Sequence, residues 1–447
     1  MPARLALIVL FTQGHGVSTS PTTFEPTVPL DARVSMDKAT TQPTVAPTAT
    51  LVPAIPVFHR IASSAAEAHC SEASYNEARE SISRALGALR AAQSQSGAWM
   101  ERAPVAATDQ KKPSMAACTA VTALGLKAFA QCGFDPKSDS SANRARRFLY
   151  DELGPARASF SPDAEGGLGT YVASAVASGL AAVDDPADRP LIERTIEWLS
   201  STQWDQSEGV SPKLDWFGGS GYGSRGRPDL SNTQMMLDAL HDAGVSPEDP
   251  AVQRALVFLT RTQNNASTNP APWAQSGASD GGFVYTPANG GESFSSEASG
   301  EGRYGETMPA DAPRSLRSYG SMTYAGFKSL LFAGLSRNDP RVRASLSWIA
   351  AHWTFAENPG LGQQGYYYFV HAMARALAAA QVDEVTDASG VKHRWREELI
   401  AELRSRQRAD GSFVNTASRW EESEPDLCTI YAALALEEAI KPSPTPR

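Results

Sequence analysis

The sequence predicts an all-α protein in which six helical hairpins close into an (α/α)6 barrel, or toroid, preceded by a disordered N-terminal segment. Two observations carry this prediction. A loop motif of Gln, three residues, Gly, one residue and an aromatic residue recurs after helices along the chain. The helices that follow these loops are apolar around most of their circumference, as buried helices are, whereas the helices that precede them are amphipathic. Stacking such hairpins buries every apolar helix, so six of them predict a closed ring.

Composition excludes several classes of protein. The 447 residues suffice for two or three ordinary domains or for one large domain built from repeats. Lys and Arg number 40 against 49 Asp and Glu, a net charge of −9 without a basic cluster, so nucleic acid is not an expected partner. A mean hydropathy of −0.31 excludes a polytopic membrane protein. The four cysteines have no metal-site spacing and are too few for a disulfide framework.

The N-terminus has the order of a weak secretory signal. Arg4 precedes an apolar run over residues 5–11, and small residues follow, so residues 1–18 are a candidate signal peptide and predict an exported or periplasmic protein. Without cleavage there, the protein would be cytoplasmic. The run is too short to span a bilayer, although peripheral membrane contact is compatible with the sequence. Residues 19–57 are rich in Pro and Thr and predict a disordered linker.

The repeats predict a barrel over residues 58–440, followed by a short tail over 441–447. The loop motif is complete from Gln93 to Trp99 and from Gln407 to Phe413. Weaker copies of the leading outer helix end at Gln203 and at Gln263. The six predicted inner helices cover residues 118–129, 169–183, 229–240, 319–331, 366–379 and 426–436.

These repeats, with outer helices containing Trp198 and Trp348 and with Thr near the start of the inner helices, resemble the squalene–hopene cyclase and protein prenyltransferase β-subunit superfamily over residues 81–440. Shorter stretches resemble bacterial prenyltransferase and squalene-oxidase repeat proteins: 227–234, 318–326, 365–368 and 395–399. The resemblance implies a helical toroid that binds an isoprenoid or other apolar small molecule in its central cavity. It also implies an enzyme of the terpene cyclase/mutase or prenyltransferase type. A family resemblance of this kind is specific for the fold and less specific for the reaction.

The resemblance further implies an acid that protonates an alkene. The family carries it in Asp-x-Asp-Asp-Thr, and the matching stretch here begins at Asp229 and ends at Thr233. Ser231 stands in the central position of the proton donor, and a hydroxyl cannot protonate an alkene. If catalysis survives, we expect Asp229 or Asp426 to supply the acid. The structural interpretation of Asp229 is a helix N-cap.

Prenyltransferases of this superfamily bind zinc through Asp-x-Cys and a later His. Asp426 and Cys428 supply the first pair, but His371 precedes them, which departs from the family order. The weak metal candidates are therefore Asp426, Cys428 and His371, and His371 is also a candidate catalytic residue. The alternative is a capping Asp and a buried Cys, with no cofactor.

A second acidic pattern resembles the Asp-Asp-x-x-Asp motif that binds diphosphate through magnesium. It consists of Asp184, Asp185 and Asp188. Asp-Pro occupies the same connector before two other outer helices, at Asp249 and Asp339, where Asp caps a helix and Pro fits its first turn. The favoured interpretation is a helix start.

Aromatic residues near the ends of the inner helices are candidates for ligand binding, because aromatic faces stabilise carbocations. The candidates are Trp216, Tyr222, Tyr319, Tyr324, Tyr366, Tyr367, Tyr431 and Trp420, with Phe217 and Tyr368 beside them. Such rings also fill ordinary cores. The Gly-rich insertion over residues 282–313 is interpreted either as a lid over one mouth of the barrel or as a solvated excursion.

Two other classes of function stay open. Toroids of this kind also serve secreted glycan-processing enzymes, which use carboxylate pairs, and Glu421, Glu422 and Glu424 lie close to Asp426 in sequence. A non-catalytic toroid that binds a lipid or a partner protein would explain the loss of the central acid. An apolar tunnel favours a cyclase or lipid carrier, and an open acidic groove favours glycan chemistry.

Overall fold

The computed structural model describes residues 61–100, 114–154, 162, 167–223, 226–288 and 316–442. The predicted signal peptide and linker, and most of the predicted insertion, lie outside the described residues. The outer helices are α1 (Glu72–Ala92), α3 (Ser140–Leu153), α5 (Arg189–Ser201), α7 (Pro250–Thr262), α10 (Pro340–Ala351) and α12 (Trp395–Arg406). The inner helices are α2 (Met115–Gln131), α4 (Gly169–Val183), α6 (Leu230–Asp242), α9 (Gly320–Phe332), α11 (Tyr366–Ala379) and α13 (Pro425–Ile440). The described residues also contain a short helix α8 (Pro272–Ser276), a two-stranded antiparallel hairpin, β1 (Val385–Thr386) and β2 (Lys392–His393), and short 3-10 turns.

The inner helices form a closed ring. Each contacts the next in the order α2, α4, α6, α9, α11 and α13, and α13 returns to contact α2. Outer helices pack against the inner helices that precede or follow them, and α1 packs on α13, which joins the first hairpin to the last. The predicted (α/α)6 barrel is confirmed. Within the described ranges, no helix combines the length and the apolar character needed to cross a membrane.

The glutamine of the repeat motif joins neighbouring hairpins. Gln93 Nε2 donates to the carbonyl oxygens of Gly97 (2.9 Å) and Ser141 (3.0 Å), the second of which belongs to the next outer helix. Gln407 Nε2 donates in the same way to Gly411 (3.0 Å) and to Ser81 of α1 (2.9 Å), and so closes the ring. The same bonds are made by Gln203 and Gln263.

The rest of the motif anchors each loop to an inner helix. The backbone N–H of Trp99 donates to Thr122 Oγ1 (3.1 Å), and that of Phe413 donates to Thr429 Oγ1 (2.9 Å). Gly97 has a φ of +99°, and a Cβ there would lie 2.4 Å from the carbonyl oxygen of Arg144, so only glycine fits. These two Thr residues of the inner helices therefore hold the loops that surround the barrel.

The Asp-Pro connectors are helix starts. Asp249 and Asp339 are N-caps whose side chains accept backbone N–H bonds, with Pro in the first helical turn. Asp185 caps a short 3-10 turn in the same manner, and Asp188 accepts a hydrogen bond from Arg146 at 2.6 Å. The helix-start interpretation is confirmed for all three connectors.

The inner helices are apolar around most of their circumference, as predicted, but five of them also carry buried charged residues in their C-terminal halves. There six buried charged side chains, which we call the ionic plug, converge: Lys127, Asp238, Asp242, Lys328, Arg375 and Glu438. Lys127 of α2 and Arg375 of α11 reach Asp242 of α6 at 2.7 and 2.5 Å, so these pairs cross the interior of the ring. Burial is tolerated because each charge meets an opposite charge.

Candidate functional site

A cavity lies at the N-terminal ends of the inner helices, and all six of them contribute to its wall. One side is apolar and is built mainly by α2, through Ala117, Ala120, Val121 and Leu124. The ionic plug lies beyond the cavity, in the C-terminal halves of the inner helices.

Aromatic residues form much of the remaining wall. They are Tyr171, Tyr222, Tyr285, Tyr319, Tyr368, Tyr431 and Trp420. The rings of Tyr171 and Tyr222 are stacked, with centroids 5.9 Å apart and planes at 18°. Tyr368 meets Tyr431 edge-on at 6.0 Å. The wall therefore offers both ring faces and hydroxyl groups to a ligand.

Four of the eight aromatic residues predicted to bind a ligand lie on this wall: Tyr222, Tyr319, Tyr431 and Trp420. The other four are structural. Trp216 packs edge-on against Trp204 in a separate cluster, and Tyr324 packs edge-on against Phe369. Tyr366 donates to the carbonyl of Phe355 (2.9 Å), and Tyr367 packs edge-on against Phe413.

Helix geometry explains which tyrosines the sequence analysis missed. The third residue of five inner helices lines the cavity: Ala117, Tyr171, Met322, Tyr368 and Leu427. Successive helical residues are turned by about 100°, so Tyr366 and Tyr367 point elsewhere although they adjoin Tyr368. Counting from each helix start would have identified Tyr171. Tyr285, two residues beyond the motif aromatic Phe283, has no such signal.

Asp229 is the N-cap of α6, as its structural interpretation predicted. Its carboxyl oxygens accept hydrogen bonds from the backbone N–H and the side-chain amide of Asn232, both at 2.8 Å. The residue is 1% exposed. Burial raises its pKa to about 6, against the lowering effect of hydrogen bonds from Asn232 and Tyr285. Tyr285, not Asp229, reaches the cavity wall.

Ser231, in the central position of the family motif, belongs to a chain of hydroxyl groups. Its Oγ lies 2.5 Å from the hydroxyl of Tyr171 and 3.4 Å from that of Tyr368. Gln234 Nε2 donates to the Tyr368 hydroxyl (3.1 Å), and Lys328 Nζ donates to Gln234 Oε1 (2.8 Å). A second pair of hydroxyls, Tyr222 and Tyr285, are 2.6 Å apart.

Glu422 is a buried carboxyl in the cavity wall. Its Oε1 accepts the backbone N–H of Tyr368 (2.9 Å) at the start of α11, and its Oε2 accepts Asn415 Nδ2 (2.7 Å). Burial raises the pKa of Glu422 to about 7, against the lowering effect of these donors. Its carbonyl accepts from the Cys428 thiol (2.9 Å) and from the Asn415 N–H (2.9 Å), which fixes the backbone there.

The residues before Glu422 are strained. Trp420 and Glu421, both cavity-lining, have φ values of 59° and 60°, a left-handed conformation that costs energy for non-glycine residues. Gly365 permits it, because a Cβ there would lie 2.8 Å from the Trp420 ring. Burial and the charge of Glu424 raise the pKa of Glu421. Strain in such a segment is typical of a functional site.

The zinc ligands suggested by the sequence do not come together. Asp426 Oδ2 accepts the N–H of Met100 (3.1 Å), and burial raises the pKa of the Cys428 thiol, which keeps it protonated. His371 stacks on Tyr431 at 5.5 Å, and burial and the Lys328 charge hold its pKa well below its usual range. Among the residues described, no three His, Cys, Asp or Glu side chains are grouped as metal ligands.

Comparison with known proteins supports the family resemblance. Residues 101–286 match the family model described as the squalene-hopene cyclase C-terminal domain. This stretch is squalene–hopene cyclase-like. The match includes the α6 start with Asp229 and Ser231, so it agrees with the terpenoid cyclase superfamily inferred from the repeats. No curated protein sequence matches the chain.

Solved structures share the helical toroid. The GH76A α-1,6-mannanase from Salegentibacter sp. HEL1_6 is 9% identical, with a TM-score of 0.50, covering 81% of this chain and 98% of its own. A family 76 glycoside hydrolase from a bovine Bacteroides thetaiotaomicron strain is 10% identical, with a TM-score of 0.50, covering 80% and 77%. A variant of the type II terpene cyclase MstE from Scytonema, in complex with geranylgeranyl dihydroxybenzoate, is 14% identical, with a TM-score of 0.46, covering 82% and 97%. At these identities the likeness to the mannanase and the hydrolase shows a shared fold, and it carries no information about the substrate.

Proposed function

We propose that the protein binds an isoprenoid or other apolar molecule in the barrel cavity and cyclises or isomerises it by protonating an alkene. The observation that carries the proposal is a cavity with apolar and aromatic walls into which a buried carboxyl, Glu422, is built. Protonation of an alkene needs a carboxylic acid that stays neutral near the operating pH, and burial provides it. The proposed reaction is therefore of the terpene cyclase/mutase type.

Glu422 suits the role of acid better than the two aspartates considered from sequence. Asp229 caps α6 and lies behind Tyr285, and Asp426 holds the backbone of Met100. Glu422 has hydrogen-bond donors on both carboxyl oxygens. Those donors stabilise the carboxylate left behind after proton transfer, whereas burial keeps the proton on the resting group.

The proton of Glu422 would pass to a terminal alkene carbon of the ligand, and the π electron pair would form the new C–H bond. The neighbouring carbon becomes a carbocation, which the ring faces of Trp420 and Tyr431 stabilise. A second alkene of the ligand attacks this carbon and closes a ring. The final cation loses a proton to solvent water and the Glu422 carboxylate regains one from solvent, so the acid is restored and product and substrate have the same mass.

The test is mass spectrometry of organic extracts after incubating the full chain with squalene or geranylgeranyl diphosphate. We expect a product of unchanged mass from one of them, and loss of diphosphate would instead indicate transfer. Glu422→Gln keeps the size of the side chain but cannot act as the acid, so product formation should fall at least about 100-fold. Glu402→Gln makes the same change at a surface residue paired with Arg406 and serves as the matched control.

Other outcomes would redirect the proposal. Full activity in Glu422→Gln together with complete loss in Asp229→Asn would move the acid to Asp229. Binding of squalene without any product would support the lipid-binding alternative. Release of sugar from α-1,6-mannan would support the glycan alternative, which the apolar side of the cavity disfavours.

A further inference from the structure

Asn415 is a buried residue that holds Glu422 at two points. Its backbone N–H donates to the Glu422 carbonyl oxygen (2.9 Å), and its Nδ2 donates to Glu422 Oε2 (2.7 Å). Nδ2 also donates to the carbonyl oxygen of Gln363 (2.6 Å), in the loop before α11. Asn415 is not among the residues that line the cavity, so its effect on a ligand there passes through a neighbour such as Glu422.

Hydrogen bonds fix the orientation of the Asn415 side-chain amide. The backbone N–H of Ala417 donates to Asn415 Oδ1 (3.0 Å), and because an N–H group can only donate, the amide oxygen must lie on that side. Nδ2 then faces Gln363 and Glu422, and its two hydrogens are used on these two acceptors. The group that faces Glu422 Oε2 is therefore a donor that cannot accept a proton.

The other carboxyl oxygen of Glu422 also faces a donor. Its Oε1 accepts the backbone N–H of Tyr368 (2.9 Å). Neutral Glu422 carries a hydrogen of its own, and neither N–H group can accept it. Among the described residues, none accepts a hydrogen bond from the Glu422 carboxyl, which is only an acceptor there. Because this side chain lines the cavity, its hydrogen is left for a molecule in the cavity.

We propose that Asn415 is a positioning residue for the Glu422 acid, which it holds so that the acidic proton is offered to a bound ligand and to no protein acceptor. This inference rests on the proposed function, in which Glu422 protonates an alkene. A donor beside the carboxyl stabilises the carboxylate left after proton transfer and does not hold the proton back. An acceptor in the same place would share the proton and keep it from the ligand.

Most other ionisable groups around Glu422 stay neutral near pH 7. Burial raises the pKa of those that α11 and α13 bring close to it, which are Tyr366, Tyr367, Cys428 and Tyr431. Glu421, the preceding residue, also has a raised pKa because of burial and the Glu424 charge. A measurement of Glu422 must therefore separate its titration from that of Glu421.

The test follows the protonation of Glu422 in the full chain by infrared spectroscopy from about pH 5 to 9. The signal is the carbonyl band of the protonated carboxyl that disappears when Glu422→Gln is introduced into the same background, which removes the contribution of Glu421. The unaltered protein should show a midpoint near pH 7.

Two variants change the group beside Glu422. Asn415→Asp keeps the acceptor for the Ala417 N–H but places a second carboxyl where Nδ2 lies, 2.7 Å from Glu422 Oε2. The two carboxyls would share a proton, so the midpoint should rise by at least about one pH unit. Asn415→Ala removes the donor without supplying an acceptor, so its midpoint should rise by a smaller amount.

Asn269 offers a matched control. It is buried, its Oδ1 accepts the N–H of Ala271 (3.1 Å), and its Nδ2 donates to the carbonyl oxygens of Arg261 (2.9 Å) and Gln263 (2.8 Å). Asn269→Asp therefore makes the same change in the same kind of turn, without Glu422 as a partner. It should leave the infrared midpoint where it is.

Activity provides a second measurement. If squalene or geranylgeranyl diphosphate gives a product, Asn415→Asp should lower kcat at least about tenfold near pH 7, because the proton is shared. KM should stay unchanged, because Asn415 does not touch the ligand.

The outcomes separate this inference from the proposed function. An unchanged midpoint in both Asn415 variants, or an equal rise in Asn269→Asp, would overturn the inference. Absence of a protonated Glu422 band from the unaltered protein would overturn it together with the proposed acid. The expected midpoints in a protein that forms no product would support the hold of Asn415 on the Glu422 proton and reject the proposed reaction.

Discussion

The two halves of the barrel interior are built by the same six helices and differ in almost every physical respect. The N-terminal half contains a cavity walled by alanines, leucines and tyrosines. The C-terminal half is filled by the ionic plug, whose side chains pair across the ring at 2.5 to 2.7 Å. The comparison teaches that this fold separates an open cavity from a densely paired ionic interior along the helix axis.

Charge behaves differently in the two halves. In the plug, charged groups face each other: Arg375 and Lys127 hold the pKa of Asp242 well below its usual range despite burial. Burial outweighs the attraction of Asp238 for Lys328 and lowers the Lys328 pKa to about 8. In the cavity wall, Glu422 has only neutral donors and its pKa rises. Asp242 therefore stays ionised at neutral pH, whereas burial favours the protonated form of Glu422.

The largest expected effect comes from breaking the plug. Arg375 lies within 4 Å of three carboxylates, those of Asp238, Asp242 and Glu438. Arg375→Met leaves buried negative charge without its main partner, so the free energy of unfolding should fall by about 3–5 kcal/mol. Urea unfolding followed by circular dichroism measures it.

A surface ion pair provides the control for this prediction. Arg404→Met removes the exposed partner of Glu80, and its cost should stay below about 1 kcal/mol. An equal loss of stability in Arg375→Met and Arg404→Met would refute the view that the plug holds the ring together.

The helical scaffold could be predicted from the sequence because short, local residue patterns determine it. The Gln motif and the apolar helices identified the ring, and the Asp-Pro connectors identified helix starts. It did not find the plug, because Lys127, Lys328 and Arg375 are single charges on separate helices, and only the closed ring brings them to their partners. An ion pair between distant segments cannot be predicted from the residue pattern of either helix alone.

Only part of the candidate site could be predicted, because some of its residues belong to local motifs and others are brought together only by the folded chain. Asp229 and Trp420 were singled out by motif and by position. The role of Glu422 depends on Asn415 and on the start of α11, which lies some fifty residues earlier in the chain. Burial, which sets the Glu422 pKa, is a property of the assembled barrel.

The next largest expected effect is a pH dependence of the protein's stability that arises from Glu422 in the cavity wall. A carboxyl whose pKa is about 7 in the folded protein and 4.5 ordinarily binds an extra proton in the native state between those values. The free energy of unfolding should therefore fall by about 3 kcal/mol as pH rises from about 4.5 to 7 and stay level above. Thermal unfolding across this range measures it.

Comparison with Glu422→Gln isolates this contribution. Other buried carboxyls with raised pKa values, such as Glu437 and Asp229, respond to pH equally in both proteins, so the difference between the two curves reports Glu422 alone. Parallel curves for the two proteins would show that Glu422 is ionised throughout, which would remove its role as a neutral acid.

The smallest expected effect compares two alanines of one helix. Ala120 lines the cavity, and Ala128, two turns further along α2 and next to Lys127 in sequence, is fully buried. Ala128→Leu must push into a packed interior and should cost about 1–3 kcal/mol in urea unfolding. Ala120→Leu extends into open space, so its cost should stay within about 0.5 kcal/mol, whereas geranylgeraniol should bind at least about tenfold more weakly because the cavity is smaller. If Ala120→Leu proved as destabilising as Ala128→Leu, the cavity half would be packed as tightly as the plug half, and a ligand could bind there only by displacing the wall.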